Sequence, residues 1–148
     1  QGAGYAEIQR TRPQTLGYGL ADSPVGQMAW IMEKFQGWSE DTKAPDDNFD
    51  CDHLLDNVMI YWLNNAGASS ARLYRESFGA PNVDPVDIPS GCSIFPHEII
   101  TPSRRWAEQR FKDLRHWGEP DRGGHFAAME VPDLFISEVR SCFGAMEL

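Results

Sequence analysis

Only two segments of this chain read as β-strand, and both lie in its second half with a helix between them. The first is the β-leaning run Val86-Asp87-Ile88-Pro89-Ser90-Gly91-Cys92-Ser93-Ile94-Phe95, interrupted by Pro and Gly, and the second is Leu114 to Trp117. Pro102 to Phe111 reads as the intervening helix. Pro132 to Phe143 reads as a closing one, with Leu134, Phe135, Val139 and Phe143 expected to face inward. Strand, helix, strand, helix is the order of a parallel α/β sheet. A parallel pair must be covered on both faces and normally belongs to a wider sheet, so this half reads as the end of something larger.

The first half reads as helical. Residues 1 to 20 suggest a short helical piece around Tyr5 to Arg10, followed by irregular chain containing Pro13, Gly17 and Gly19. Asp22-Ser23-Pro24 is a helix start, because Ser23 can accept from free first-turn N–H groups and Pro24 has no N–H to lose. Val25, Met28, Ala29, Ile31, Met32 and Phe35 follow at helical spacing and predict a core-packing helix that stops at Gly37. Leu54 to Leu63 predicts a second helix, ended by Asn64-Asn65-Ala66-Gly67. Ser69-Ser70 starts a third, carrying Leu73, Tyr74 and Phe78. Gly79-Ala80-Pro81-Asn82 then marks a break.

Charge narrows the function. The chain has 148 residues and a formal charge of −9, and its seven acids between Glu40 and Asp56 face Lys43 alone. That stretch reads as a solvated loop with a helix N-terminus, since the spacing and glutamate of an EF-hand are absent. With no basic stripe, nucleic-acid binding is not expected. Three cysteines without a C-x-x-C pair argue against a disulfide framework or zinc knuckle and favour a reducing, cytoplasmic compartment. No run approaches the roughly 20 apolar residues of a membrane span.

Glu98, just after the first strand, and His125, in Gly123-Gly124-His125 after the second, would hang over the same rim of a parallel sheet. A carboxylate beside an imidazole fixes its tautomer and stabilises the imidazolium, which makes a general base. Taken singly, each is more often a loop residue. The two glycines would permit a sharp turn aiming His125 inward. His97 should point away from Glu98, and His116, inside the second strand, suits a core or surface role. No ligand spacing links the histidines, so no metal is expected. Tyr5 and Tyr74 could together stabilise a developing alkoxide, or each could sit at a helix surface with its hydroxyl in water. Tyr18 and Tyr61 are assigned to structure.

These segments are similar to a known family. Gly4-Tyr5-Ala6-Glu7-Ile8-Gln9, Thr11-Arg12-Pro13-Gln14-Thr15, Asp22-Ser23-Pro24-Val25-Gly26, Ser69-Ser70-Ala71-Arg72-Leu73-Tyr74, Phe95-Pro96-His97-Glu98 and Gly123-Gly124-His125-Phe126-Ala127-Ala128-Met129-Glu130 occur in the order seen in epoxide hydrolases of the α/β-hydrolase fold. The microsomal-type branch and its bacterial and fungal relatives are the nearest match, and the resemblance covers the C-terminal portion only. It implies a partial α/β-hydrolase chain, with residues 1–79 a helical cap or lid with a flanking core helix and residues 80–148 the end of the sheet core.

It also implies a two-step hydrolysis of an epoxide by water, with no cofactor. An aspartate attacks the epoxide and forms an ester while Tyr5 and Tyr74 hold the opening oxygen; His125, paired with Glu98, then activates water to release a vicinal diol. The nucleophilic aspartate and oxyanion-hole motifs are not among these residues. These residues alone are therefore expected to be inactive without the front half of the enzyme. A non-catalytic interaction module of the same origin is the alternative. A haloalkane dehalogenase-like hydrolase is another, although paired tyrosines do not suit a halide leaving group.

Overall fold

The computed structural model describes residues 2–40, 44–77, 79 and 82–146. Phe78 of the third predicted helix, Ala80 and Pro81 of the expected break, and Asp41 and Lys43 of the acidic loop lie outside the described residues. The helices are α1 (Gly4–Thr11), α2 (Pro13–Asp22), α3 (Pro24–Trp38), α4 (Pro45–Asn48), α5 (Cys51–Leu63) and α6 (Gly67–Ser77). They are followed by β1 (Val86–Ser93), α7 (Arg104–Arg110), β2 (Phe111–Gly118), α8 (Ala127–Glu130) and α9 (Pro132–Gly144).

Two compact units result, one formed by Gln1–Glu33 with Asp50–Asn82 and the other by Lys34–Phe49 with Val83–Leu148. Residues 34–49 thus group with the sheet, although in sequence they sit among the helices. Among the described residues, no helix is long and apolar enough to cross a membrane.

In the first unit the Ser23-Pro24 helix start is present, whereas Ser69-Ser70, expected to begin the third helix, lie inside α6, which begins at Gly67. Ser23 Oγ accepts from Gly26 N–H at 3.0 Å ahead of α3. Asp50 Oδ1 accepts from Asp52 and His53 N–H at 3.0 and 3.2 Å and caps α5. The stretch expected to be irregular is instead α2, with Pro13 in its first turn. Gly17 is what lets this helix pack, because a Cβ there would overlap Ala68 of α6, backbone Cα included. Gly17→Ala is therefore expected to destabilise the chain by about 1–3 kcal/mol, since overpacking against backbone outweighs the better helix propensity of Ala. A lower urea midpoint at unchanged slope would show it.

The buried stripe of α3 also differs from expectation. Val25 and Met28 are exposed, whereas Gln27 is 2% exposed and Phe35 is buried. The hydrophobic spacing alone predicts a different face from the one that is buried, which includes positions 27 and 35. Gly37 does not stop α3, which continues to Trp38. Tyr18 is largely exposed and adds little packing.

In the second unit β1 and β2 form the expected parallel pair, in register from Val86 opposite Phe111 to Ser93 opposite Gly118. The register is irregular beside Pro89, which cannot donate to the ladder. Phe95, Ala127 and Val131 form a small buried cluster, with Leu134 of α9 packed against it. His116 on β2 lies 3.0 Å from Glu138 of α9, which also accepts from Ser93 Oγ at 2.7 Å. The Ser93 hydroxyl first, and His116 after it, hold the Glu138 carboxyl below its ordinary value against the opposing effect of burial.

The inward face expected for α9 is only partly buried. Phe135 and Val139 are over a third exposed and Phe143 is 69% exposed. A two-stranded sheet is too narrow to cover a 13-residue helix, so the face beyond Leu134 is left open within the described residues.

Candidate functional site

Beyond the ends of β1 and β2, the parallel pairing continues for one more step. Ile94 N–H donates to Gly118 O at 2.8 Å, His97 N–H donates to Gly123 O at 3.1 Å, and His97 bridges Gly124. This stitches the loop carrying Glu98 to the loop carrying His125. Their side chains meet: His125 Nδ1 lies 2.7 Å from Glu98 Oε1, with about a third of each side chain exposed. Ile99 N–H donates to the same oxygen at 2.7 Å and holds the carboxylate in place. An acceptor-only carboxylate at Nδ1 assigns the proton to that nitrogen, leaving the lone pair on Nε2 to take a proton.

The glycines before His125 serve two different needs. Gly123 has φ +105°, a conformation that favours glycine, and a Cβ there would also press on Phe95 and Val131 at 2.8 Å. Gly124 is required by close approach, since a Cβ would fall 2.7 Å from Trp38 O and 2.8 Å from Glu40 N. Trp38 O is one of the carbonyls left without an intrahelical partner at the end of α3, and it accepts His125 N–H at 2.9 Å.

The imidazole stands edge-on to the Trp38 ring, with centroids 5.0 Å apart, while Phe126 stacks on Phe35 at 4.3 Å. A hollow of about 370 Å³ opens beside the pair, bounded by Phe95, Phe126, Met129 and Phe135 along with Glu98 and His125. An apolar hollow with few convergent polar groups suits an apolar small molecule.

His97 points to a different partner from Glu98, its Nε2 lying 3.8 Å from Glu40 Oε1. Glu40, expected in a solvated acidic loop, instead accepts Gly123 N–H at 2.9 Å. Sequence reasoning missed Trp38 and Glu40 because both meet His125's loop from more than 80 residues away. The signal that could have pointed to them is the Gly123-Gly124 pair, since a glycine with no turn to explain it implies backbone close by.

In the helical unit, Tyr5 on α1 and Tyr74 on α6 come together, their rings edge-on with centroids 5.9 Å apart and an interplanar angle of 78°. Burial first, then a hydrogen bond to Tyr74 and its proximity, push the Tyr5 phenol above its ordinary value. A phenol so shifted stays protonated at neutral pH and remains a donor. Among the described residues no cluster of His, Cys, Asp and Glu could hold a metal ion.

No protein-family model matches the chain. It is 52% identical over 143 residues to a Stigmatella aurantiaca protein assigned as an epoxide hydrolase, covering 96% of this chain and 32% of that protein. Against epoxide hydrolase 1 of Sus scrofa it is 36% identical over 157 residues, covering 98% of this chain and 35% of the relative. The crystal structure of juvenile hormone epoxide hydrolase from the silkworm Bombyx mori superposes with a TM-score of 0.90 at 32% identity, over 98% of this chain and 40% of that one. The chain therefore spans about a third of the length of the curated relatives it matches.

Proposed function

We propose, from its likeness in sequence and fold to α/β-hydrolase-fold epoxide hydrolases, that this chain is a section of such an enzyme and supplies the acid–histidine pair and the phenol pair of an epoxide-opening site. The observation that carries the reading is the 2.7 Å contact between His125 Nδ1 and Glu98 Oε1 beside an apolar hollow.

The chemistry divides into two steps. In the first, a carboxylate from the rest of the enzyme attacks an epoxide carbon, the C–O bond breaks, and the electron pair passes to the ring oxygen. Tyr5 and Tyr74 serve this step as O–H donors, whose hydrogen bonds strengthen as the oxygen becomes an alkoxide. The alkoxide takes up a proton, and the product is a hydroxyalkyl ester.

In the second step His125 Nε2 takes a proton from water, and the resulting hydroxide adds to the ester carbonyl. Glu98 stabilises the imidazolium through Nδ1–H. Collapse of the adduct expels the diol oxygen, which recovers a proton, and the carboxylate is restored. The apolar lining of the hollow favours an epoxide with a hydrophobic substituent, as opposed to a highly polar one.

The test is a hybrid in which these 148 residues replace the corresponding section of the Stigmatella aurantiaca relative. It is expected to convert styrene oxide to the vicinal diol, followed by chromatography. A hybrid that melts cooperatively yet forms no diol above buffer, from styrene oxide or a longer aliphatic epoxide, would sink the reading.

A further inference from the structure

We propose that Glu40, braced by Glu130, is a positioning residue that clamps the acid-bearing and base-bearing loops together; the inference rests on His125 being the base that activates water. Glu40 Oε2 accepts the N–H of Gly123 at 2.9 Å, at the residue whose φ is +105°. The other oxygen, Oε1, lies 3.8 Å from Nε2 of His97, which neighbours Glu98. One carboxylate thus reaches both loops.

Glu40 is itself held. Its backbone N–H donates to Glu130 Oε2 at 2.7 Å, and Glu130 Oε1 accepts Phe126 N–H at 2.9 Å. His125 N–H is taken by Trp38 O at 2.9 Å. The backbone N–H groups of residues 123 and 125 are satisfied by Glu40 and Trp38, more than 80 positions away, and that of residue 126 by Glu130, four positions on, so the turn around His125 has little freedom to reorient. A carboxylate suits this place because it is an acceptor only, and its hydrogen bonds to N–H donors are stronger than those of a neutral acceptor. The Glu40 carboxylate is bonded to the backbone of the turn and shares no hydrogen bond or ion pair with the imidazole, so its effect passes through that backbone.

Positioning of this kind should act on the second chemical step and spare the first. In the hybrid enzyme, Glu40→Ala is expected to slow ester hydrolysis by about tenfold to a hundredfold, the loss typical of a misplaced catalytic group. Ester formation should keep its rate constant, with a burst that approaches one equivalent of alkylated enzyme. Glu40→Gln, whose amide oxygen can still accept Gly123 N–H, should recover most of the rate.

Amide hydrogen exchange provides a readout independent of turnover: Gly123 and His125 should exchange faster in Glu40→Ala than in the parent or in Glu40→Gln. Parental ester hydrolysis in Glu40→Ala, or equal impairment of both variants, would overturn the clamp. A parent hybrid without diol formation would instead count against the epoxide-hydrolase reading. Exchange alone then decides the clamp, with unchanged rates at Gly123 and His125 in Glu40→Ala overturning it and faster rates carrying it.

Discussion

His125→Ala in the hybrid enzyme is expected to cut steady-state diol formation by about 10² to 10⁴, the usual contribution of a positioned general base. The expected pattern matters more than the size. Ester formation needs no base, so a rapid-quench experiment should show a burst approaching one equivalent of alkylated enzyme, followed by almost no turnover. Glu98→Gln should reproduce the pattern in milder form, because the Nδ1 proton would then face a neutral group across the 2.7 Å contact and the imidazolium would lose its compensating charge.

The double variant should be little worse than His125→Ala alone, as expected for residues that act as one unit. Additive losses would mean that Glu98 does something separate, and undiminished turnover in His125→Ala would remove the base from the mechanism. His116→Ala is the natural control. That histidine also pairs with a carboxylate, Glu138, but on the strand and not at the hollow.

What could be read from sequence was whatever depends on near neighbours in the chain. Ser23-Pro24 announces a helix start because a cap is formed within three residues. Glu98 and His125 were legible as a pair because parallel strands bring the residues after their ends to one rim, and the continued pairing of His97 with Gly124 does this here.

Contacts that close long loops left no local trace. Helix α2 was missed because Gly17 and Gly19 lower helix propensity, and the reason for one of them, Ala68, lies 51 positions away. Glu40 looked like one more solvated acid in a run of acids, and only the folded chain sets it against Gly123. The burial of α9 was over-read for a related reason: apolar spacing identifies a face that could be buried, while the width of the neighbouring sheet decides how much of it is.

Replacing both phenols, Tyr5→Phe with Tyr74→Phe, is expected to abolish the other half of the reaction. Loss of a single donor to a developing oxyanion typically costs about 10² to 10³ in rate. Each single variant should therefore slow ester formation by about that factor, and the double variant should form no detectable ester. This is the reverse of the His125→Ala phenotype, in which ester accumulates. The fold should tolerate the change, because Phe preserves the edge-on ring contact at 5.9 Å between α1 and α6 and removes only the hydroxyls.

The raised Tyr5 phenol adds a pH argument. A group whose value is raised keeps its proton beyond the ordinary phenol range, so the rate of ester formation should hold steady through neutral and mildly alkaline pH. A double variant that still alkylated at the parental rate would leave the two tyrosines as a packing contact between helices, and the opening oxygen would then need a different donor.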